Sequence, residues 1–140
     1  MRLWHKDLIT VLPRQQLLGQ WRECCLIAKN ISQRGTPNHL LVNKIMNYPM
    51  EDFMAYSRVV FCEMRKRGYR PDWNNFSRHL NHLVINLKGL SEIFLTWHNN
   101  RYLMQCYYNL QEKYDCGGIT AKEWKLIQNK ITDVSDNFCI

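Results

Sequence analysis

PRQQLLGQWRECCLIAKNIS, residues 13–32, decides the fold class. Leu17, Trp21, Cys24, Ala28 and Ile31 recur at spacings of four, three, four and three, so a helix carries all five on one apolar stripe. Pro13 suits the first turn of that helix, which is expected to run to about Ser32. Gly19 is out of place, because a glycine in a helix interior costs about 1 kcal/mol relative to alanine. Helical side chains lean toward the N-terminus, so Glu23 lies over the turn that Gly19 leaves bare. A hollow beside a carboxylate is expected there, flanked by Arg22, Gln15 and Gln16.

Further along, the same period continues. Pro49 opens a second helix, with Glu51 and Asp52 at its positive end and Phe53, Tyr56, Val60 and Met64 on its inner face. Arg65, Lys66 and Arg67 crowd its last turn and Gly68 ends it. RGTPNH (34–39) reads as a loop. A third helix is expected from Trp73 to Leu87, with Phe76, Leu80, Leu83, Val84 and Leu87 in phase. A fourth is expected from about Ser91 to Lys113, stopping at Gly117-Gly118. Thr120 and Glu123 form a T-x-x-E capping box for a last helix of roughly a dozen residues. Repeats, low-complexity segments and strongly alternating strands are missing from the pattern. The expectation is one all-α domain over residues 1–140, with about five helices.

Charge divides the chain. Residues 1–70 hold twelve Lys/Arg against five Asp/Glu, whereas residues 71–140 hold seven of each. The net charge of +7 therefore lies in the first half. One basic face points to a polyanion, nucleic acid before membrane. The six cysteines form no CxxC pair, and MRLWHKDL lacks the apolar core of a signal peptide. No apolar run approaches the roughly 20 residues that span a bilayer. A soluble cytoplasmic protein with reduced thiols is expected.

His79 and His82 stand at i, i+3, a spacing compatible with one metal, but no carboxylate or cysteine at helical spacing completes a ligand set. No G-x-S-x-G elbow supports a serine nucleophile. Gly117-Gly118 lacks the context of a phosphate loop and reads as a helix stop. The aromatic stretch 97–118 offers stacking surfaces for bases, or core packing at helical spacing. Arg22-Glu23 is either a solvated pair on a helix flank or the edge of a reactive hollow.

On L-x-x-x-x-R-E at Leu17 to Glu23, and on EMRKRGY at residues 63–69, the chain resembles the pyrimidine-dimer DNA glycosylases, the family of the phage endonuclease V. The likeness covers roughly residues 1–70. Uncharacterised bacterial members also begin MRLWH and carry RECC and NLQEKYDCGG, as this chain does. The resemblance implies an N-terminal segment threaded between helices, which brings the chain's own α-amino group beside the helix carboxylate. It implies that this amine attacks the sugar C1′ of a damaged nucleotide, displaces the base through a Schiff base, and leads to β-elimination of the strand. Carried over by position, Glu23 is the catalytic carboxylate, Met1 supplies the amine, and Arg2 and Arg22 contact phosphate or lesion. Gln15, Gln16, Arg65, Lys66 and Arg67 join them as DNA contacts. Gln16 stands where the family has histidine, and Leu26 where it has arginine. Arg2 is bulky, so the initiator methionine is expected to stay, making the lead to the carboxylate one residue longer.

The chemistry is physically coherent. An α-amino group titrates near roughly 7.7–8.0 and a lysine near roughly 10.4, so the former is the better nucleophile at neutral pH. A fixed carboxylate stabilises the cationic sugar, and basic side chains hold phosphates. The expected partner is damaged double-stranded DNA, engaged by a monomer without cofactor. Two alternatives stand beside it: a non-catalytic, basic helical nucleic-acid-binding protein, and a metal-dependent enzyme using His5, Glu23 and His39 or His98.

Overall fold

A computed structural model describes residues 1–80 and 88–138, with only the backbone for 135–138. Its regular elements are helical. Five α-helices run Arg14–Arg34 (α1), Met50–Lys66 (α2), Trp73–Ser77 (α3), Asn100–Asp115 (α4) and Ala121–Phe138 (α5). Short 3-10 helices at Lys6–Val11, Val42–Asn47 and Leu90–Glu92 join them. Strands are absent among the described residues.

α1 forms where its stripe predicts. Leu17, Trp21, Cys24 and Ala28 are buried, and Ile31 sits half-buried at the edge of the core. Gly35 closes the helix in the left-handed region at φ 76°, its N–H donating to Ile31 O. The Trp21 ring packs among Phe61, Trp73 and Phe76, with centroids 5.5, 6.1 and 6.0 Å away. This aromatic cluster fixes α1 against α2 and α3. The buried side chains of both halves belong to one hydrophobic cluster.

The capping box at Thr120 is present in both directions: Glu123 N–H donates to Thr120 Oγ1 at 3.1 Å, and Thr120 N–H to Glu123 Oε1 at 3.1 Å. The other carboxylate oxygen accepts from Arg14 N–H at 3.0 Å, so one glutamate caps the N-termini of α5 and α1 together. Burial opposes ionisation of Glu123, but the Arg14 and Thr120 donors win and hold its carboxyl below the usual range. α5 has 18 residues, longer than the dozen expected, because Trp124, Ile127, Ile131 and Val134 keep its apolar stripe on the core.

Two helices depart from expectation. α3 is five residues long, and Leu83, Val84 and Leu87 lie outside the described residues. α4 starts at Asn100 rather than near Ser91. Ile93, Phe94 and Trp97 are buried apolar residues in helical phase, but Phe94 takes φ 49°, which no α-helix contains. Asp52, buried on α2, accepts the Phe94 N–H at 2.9 Å, and its other oxygen meets the Lys88 ammonium at 2.8 Å. That distant carboxylate fixes the turn. Asn99 then caps α4, its side chain accepting from Tyr102 N–H at 2.9 Å.

The stretch 97–118 serves mainly as packing. Trp97, Tyr102 and Leu110 are buried, and Tyr107 and Tyr114 stack on Trp124 at 5.2 and 5.1 Å. Tyr108 is exposed. Among the described residues, no helix is long and apolar enough to cross a membrane.

Candidate active site

An N-terminal segment outside any helix or sheet must find partners for its backbone, or burying it is costly. Residues 2–6 find them in side chains from α1, α2 and the segment leading into α4. Gln20 takes both edges of the segment: Oε1 accepts from Trp4 N–H at 2.8 Å and Nε2 donates to Arg2 O at 3.0 Å. The Tyr56 hydroxyl donates to Trp4 O at 2.6 Å, the Tyr102 hydroxyl donates to Leu3 O, and Lys6 N–H donates to His98 Nδ1 at 3.0 Å. Leu3 and Trp4 are buried beneath these contacts. The start of the chain is thereby threaded between α1, α2 and α4.

The consequence falls on Glu23. Its Oε2 accepts the backbone N–H of Arg2 at 3.0 Å, so the helix carboxylate holds the first amide of the chain. Among the described residues the Met1 ammonium makes no ion pair with it. Met1, Arg2, Gln15, Gln16, Gly19 and Glu23 line one cavity of about 410 Å³, together with Asn109 and Lys113 of α4. A Cβ added to Gly19 would meet only Arg22 Nη2, at 3.9 Å. Packing does not demand the glycine. Its missing side chain leaves open space in the wall beside the carboxylate.

Gln16 places a buried amide oxygen here without a partner. Arg2 turns its guanidinium over the Trp4 ring at 5.5 Å and toward Cys106 Sγ at 3.9 Å, so part of its length lies against the protein. Arg22 does not line this cavity; it is exposed, reaches within 3.9 Å of the Gly19 Cβ position, and lines a separate hollow of about 340 Å³ with Lys29 and Arg78.

Arg65, Lys66 and Arg67 lie elsewhere, at the end of α2, and none lines this cavity. Arg65 and Lys66 are exposed. The Arg67 guanidinium is occupied: Nε donates to Glu63 at 2.9 Å, Nη1 to Leu12 O at 2.7 Å and Nη2 to Thr10 O at 3.1 Å. It ties α2 to the first 3-10 helix.

The histidines are not gathered as ligands. His5 stacks on His98 with ring centroids 5.1 Å apart, and both are buried. Burial pushes both toward the neutral form, His98 strongly, with Asp7 opposing it at His5. His39 lies in the loop after α1, His79 beside Arg22, and His82 outside the described residues. Among the described residues no group of three His, Cys, Asp or Glu could hold a metal ion, so His5, Glu23 and His39 or His98 do not form one.

Gln20, Tyr102, Lys29, Arg78, Asn109 and Lys113 escaped the sequence reading, which took Tyr56 for core and His98 for a candidate metal ligand rather than for holders of the N-terminal segment. Gln20 had a local signal, a polar residue next to Trp21 on a buried stripe. Lys29 lies on α1 two turns beyond Arg22, and the others are placed only through contacts between distant segments.

These features define a class: an all-α protein that delivers the start of its own chain to a helix carboxylate in an open, basic-rimmed cavity. The family profile for pyrimidine dimer DNA glycosylase matches residues 1–75, and the chain belongs to that family of DNA repair glycosylases. No curated protein and no solved structure matches the chain. The family match covers α1, α2 and Glu23, and ends within α3.

Proposed function

We propose that this chain is a DNA glycosylase with AP lyase activity, acting on pyrimidine-dimer or abasic sites through its α-amino group. The observation that carries the reading is the contact between Glu23 and the Arg2 amide, at the wall of a cavity that Met1 also lines. In this reading the amine of Met1 attacks C1′ of the flipped nucleotide and the glycosidic bond breaks, with the electron pair leaving on the base. A proton passes from the adduct nitrogen to O4′ as the C1′–O4′ bond breaks, giving a protonated imine between the amine and the ring-opened sugar. Removal of a C2′ proton then expels the 3′ phosphate, and water hydrolyses the imine to release the amine. Glu23 offsets the positive charge that develops on sugar and nitrogen, and serves as the nearby proton acceptor.

The space left by Gly19 would admit the sugar, while Arg2, Arg22, Gln15 and Gln16 would contact phosphate or lesion. Arg65 and Lys66 would act at longer range from the end of α2, and Arg67 through the placement of that helix end. We take the working unit to be a monomer, a single domain over residues 1–140, acting on duplex DNA in the cytoplasm.

The test is nicking of a duplex with one abasic site by untagged protein, by N-terminally acetylated protein and by Glu23→Gln. The proposal expects nicking by the first and its loss in both others. Equal nicking by free and acetylated protein would overturn the amine mechanism. A non-catalytic DNA-binding protein would bind in all three forms and nick in none.

A further inference from the structure

A second cavity, of about 420 Å³, opens where the start of α4 meets the 3-10 helix Val42–Asn47. Two exposed cations line it from segments far apart in sequence, Lys44 and Arg101. The side-chain amides of Asn47, Asn99 and Gln105 accompany them, and no carboxylate is in the lining among the described residues. Asn99 and Arg101 also place the N-terminal turn of α4 at the cavity, and that end of a helix favours negative charge. Trp97, in the same wall, is 6% exposed and has a buried indole N–H without a partner. Such donors are uncommon in folded proteins and mark a place where an acceptor is missing. The two cations, the amides, the helix end and the absence of a lining carboxylate favour an anion.

The location says which anion. Arg101, Gln105, Asn109 and Lys113 stand four residues apart and make one polar ridge along α4. The first two line this cavity, and the last two line the cavity of Glu23. At about 1.5 Å per residue, Arg101 lies about 12 Å along the axis from Asn109. That is three to four nucleotides of one strand at about 3.4 Å each. Tyr102 binds the threaded N-terminal segment through Leu3 O and also lines the second cavity, so the same residues join the two sites.

We propose that the Lys44–Arg101 cavity is a backbone-phosphate subsite, engaging the DNA three to four nucleotides from the nucleotide held at Glu23. The inference rests on the DNA substrate of the proposed function but not on its amine chemistry. It gives a role to residues beyond the segment that the family profile matches. Phosphates positioned by Lys44 and Arg101 would set the register of the strand, so that the target sugar faces Gly19 and Glu23.

The experiment measures affinity for an abasic-site duplex by fluorescence anisotropy across a range of salt concentrations. It compares wild type with Lys44→Ala/Arg101→Ala and with Lys122→Ala/Lys125→Ala, an equal loss of charge at exposed positions of α5. Circular dichroism of each variant establishes that it is folded. Each lost phosphate contact lowers the slope of log K against log salt by about 0.9. The proposal expects a slope lower by about one to two for the first pair, affinity lower by tenfold or more near 0.1 M salt, and little change for the second. An unchanged slope for the first pair, or an equal fall for both pairs, would overturn it. Borohydride trapping at saturating protein, run alongside, reports separately on the amine: a normal wild-type slope without adduct would reject the lyase and leave the subsite standing.

Discussion

Replacing Gln20 by leucine tests whether the threaded segment is held as described. Gln20 is 1% exposed and makes three hydrogen bonds, to Trp4 N–H, Arg2 O and the Tyr56 hydroxyl. Leucine has a similar volume, so the main loss is polar. The Trp4 N–H becomes a buried donor without an acceptor, at a cost of about 1–3 kcal/mol. Arg2 O is half-buried beside the cavity and can turn to water, so its loss adds little. The Tyr56 hydroxyl keeps its bond to Trp4 O at 2.6 Å and stays satisfied. The sum is about 1–3 kcal/mol, less a fraction returned by burying leucine's apolar surface. Urea unfolding of the two proteins would measure it. A parallel assay of abasic-site nicking should show a larger relative loss at temperatures where both are folded, because the segment then samples positions away from Glu23. A loss below about 0.5 kcal/mol together with unchanged nicking would refute the role given to Gln20.

Three further outcomes are expected. Gly19→Ala should raise stability by up to about 1 kcal/mol, since the added methyl meets nothing closer than 3.9 Å, whereas Gly19→Leu should fill the cavity and depress nicking at least tenfold; thermal melts and nicking rates check the pair. Burial lowers His5 and His98 below their unfolded values, so the unfolded chain takes up protons first and stability should fall as pH drops below about 6.5, by up to about 1.4 kcal/mol per pH unit for each histidine. Glu123, held below the usual range, adds its loss only as pH falls further, through its lowered value, and urea melts from pH 7.5 to 4 should separate the two windows. A chain beginning at Arg2 would carry its α-amine where the Arg2 amide now lies, 3.0 Å from Glu23, and should nick abasic DNA at least as well as the chain beginning at Met1; an inactive shortened chain would contradict the placement.

Where partners lay close in sequence, the fold could be read in advance. The α1 stripe, the Gly68 end of α2 and the Thr120–Glu123 box are all settled within a turn or two of chain, by periodicity and by local hydrogen bonds. α4 could not be read that way. Ile93, Phe94 and Trp97 have helical spacing, but Asp52, more than forty residues earlier, takes the Phe94 N–H and bends the chain instead. The site shows the same division. Glu23 and Gly19 share a cavity wall because they are one turn apart on α1. Gln20, Tyr56 and Tyr102 hold the N-terminal segment across 16, 52 and 99 residues, and no local pattern announces such contacts. Arg67 looked like one more cation in a basic run. Its guanidinium proves to be a clamp on backbone carbonyls, a role that depends on where residues 10–12 pass.

The central claim is that the start of this chain is its nucleophile and Glu23 its electrostatic partner. The most direct measurement is sodium borohydride trapping on an abasic-site duplex, followed by proteolysis and mass mapping of the adduct. The account predicts one covalent product per protein, with the reduced sugar on the peptide that contains Met1, and no product after N-terminal acetylation. An adduct mapped to a lysine side chain, or no adduct from untagged protein that binds the duplex, would contradict it.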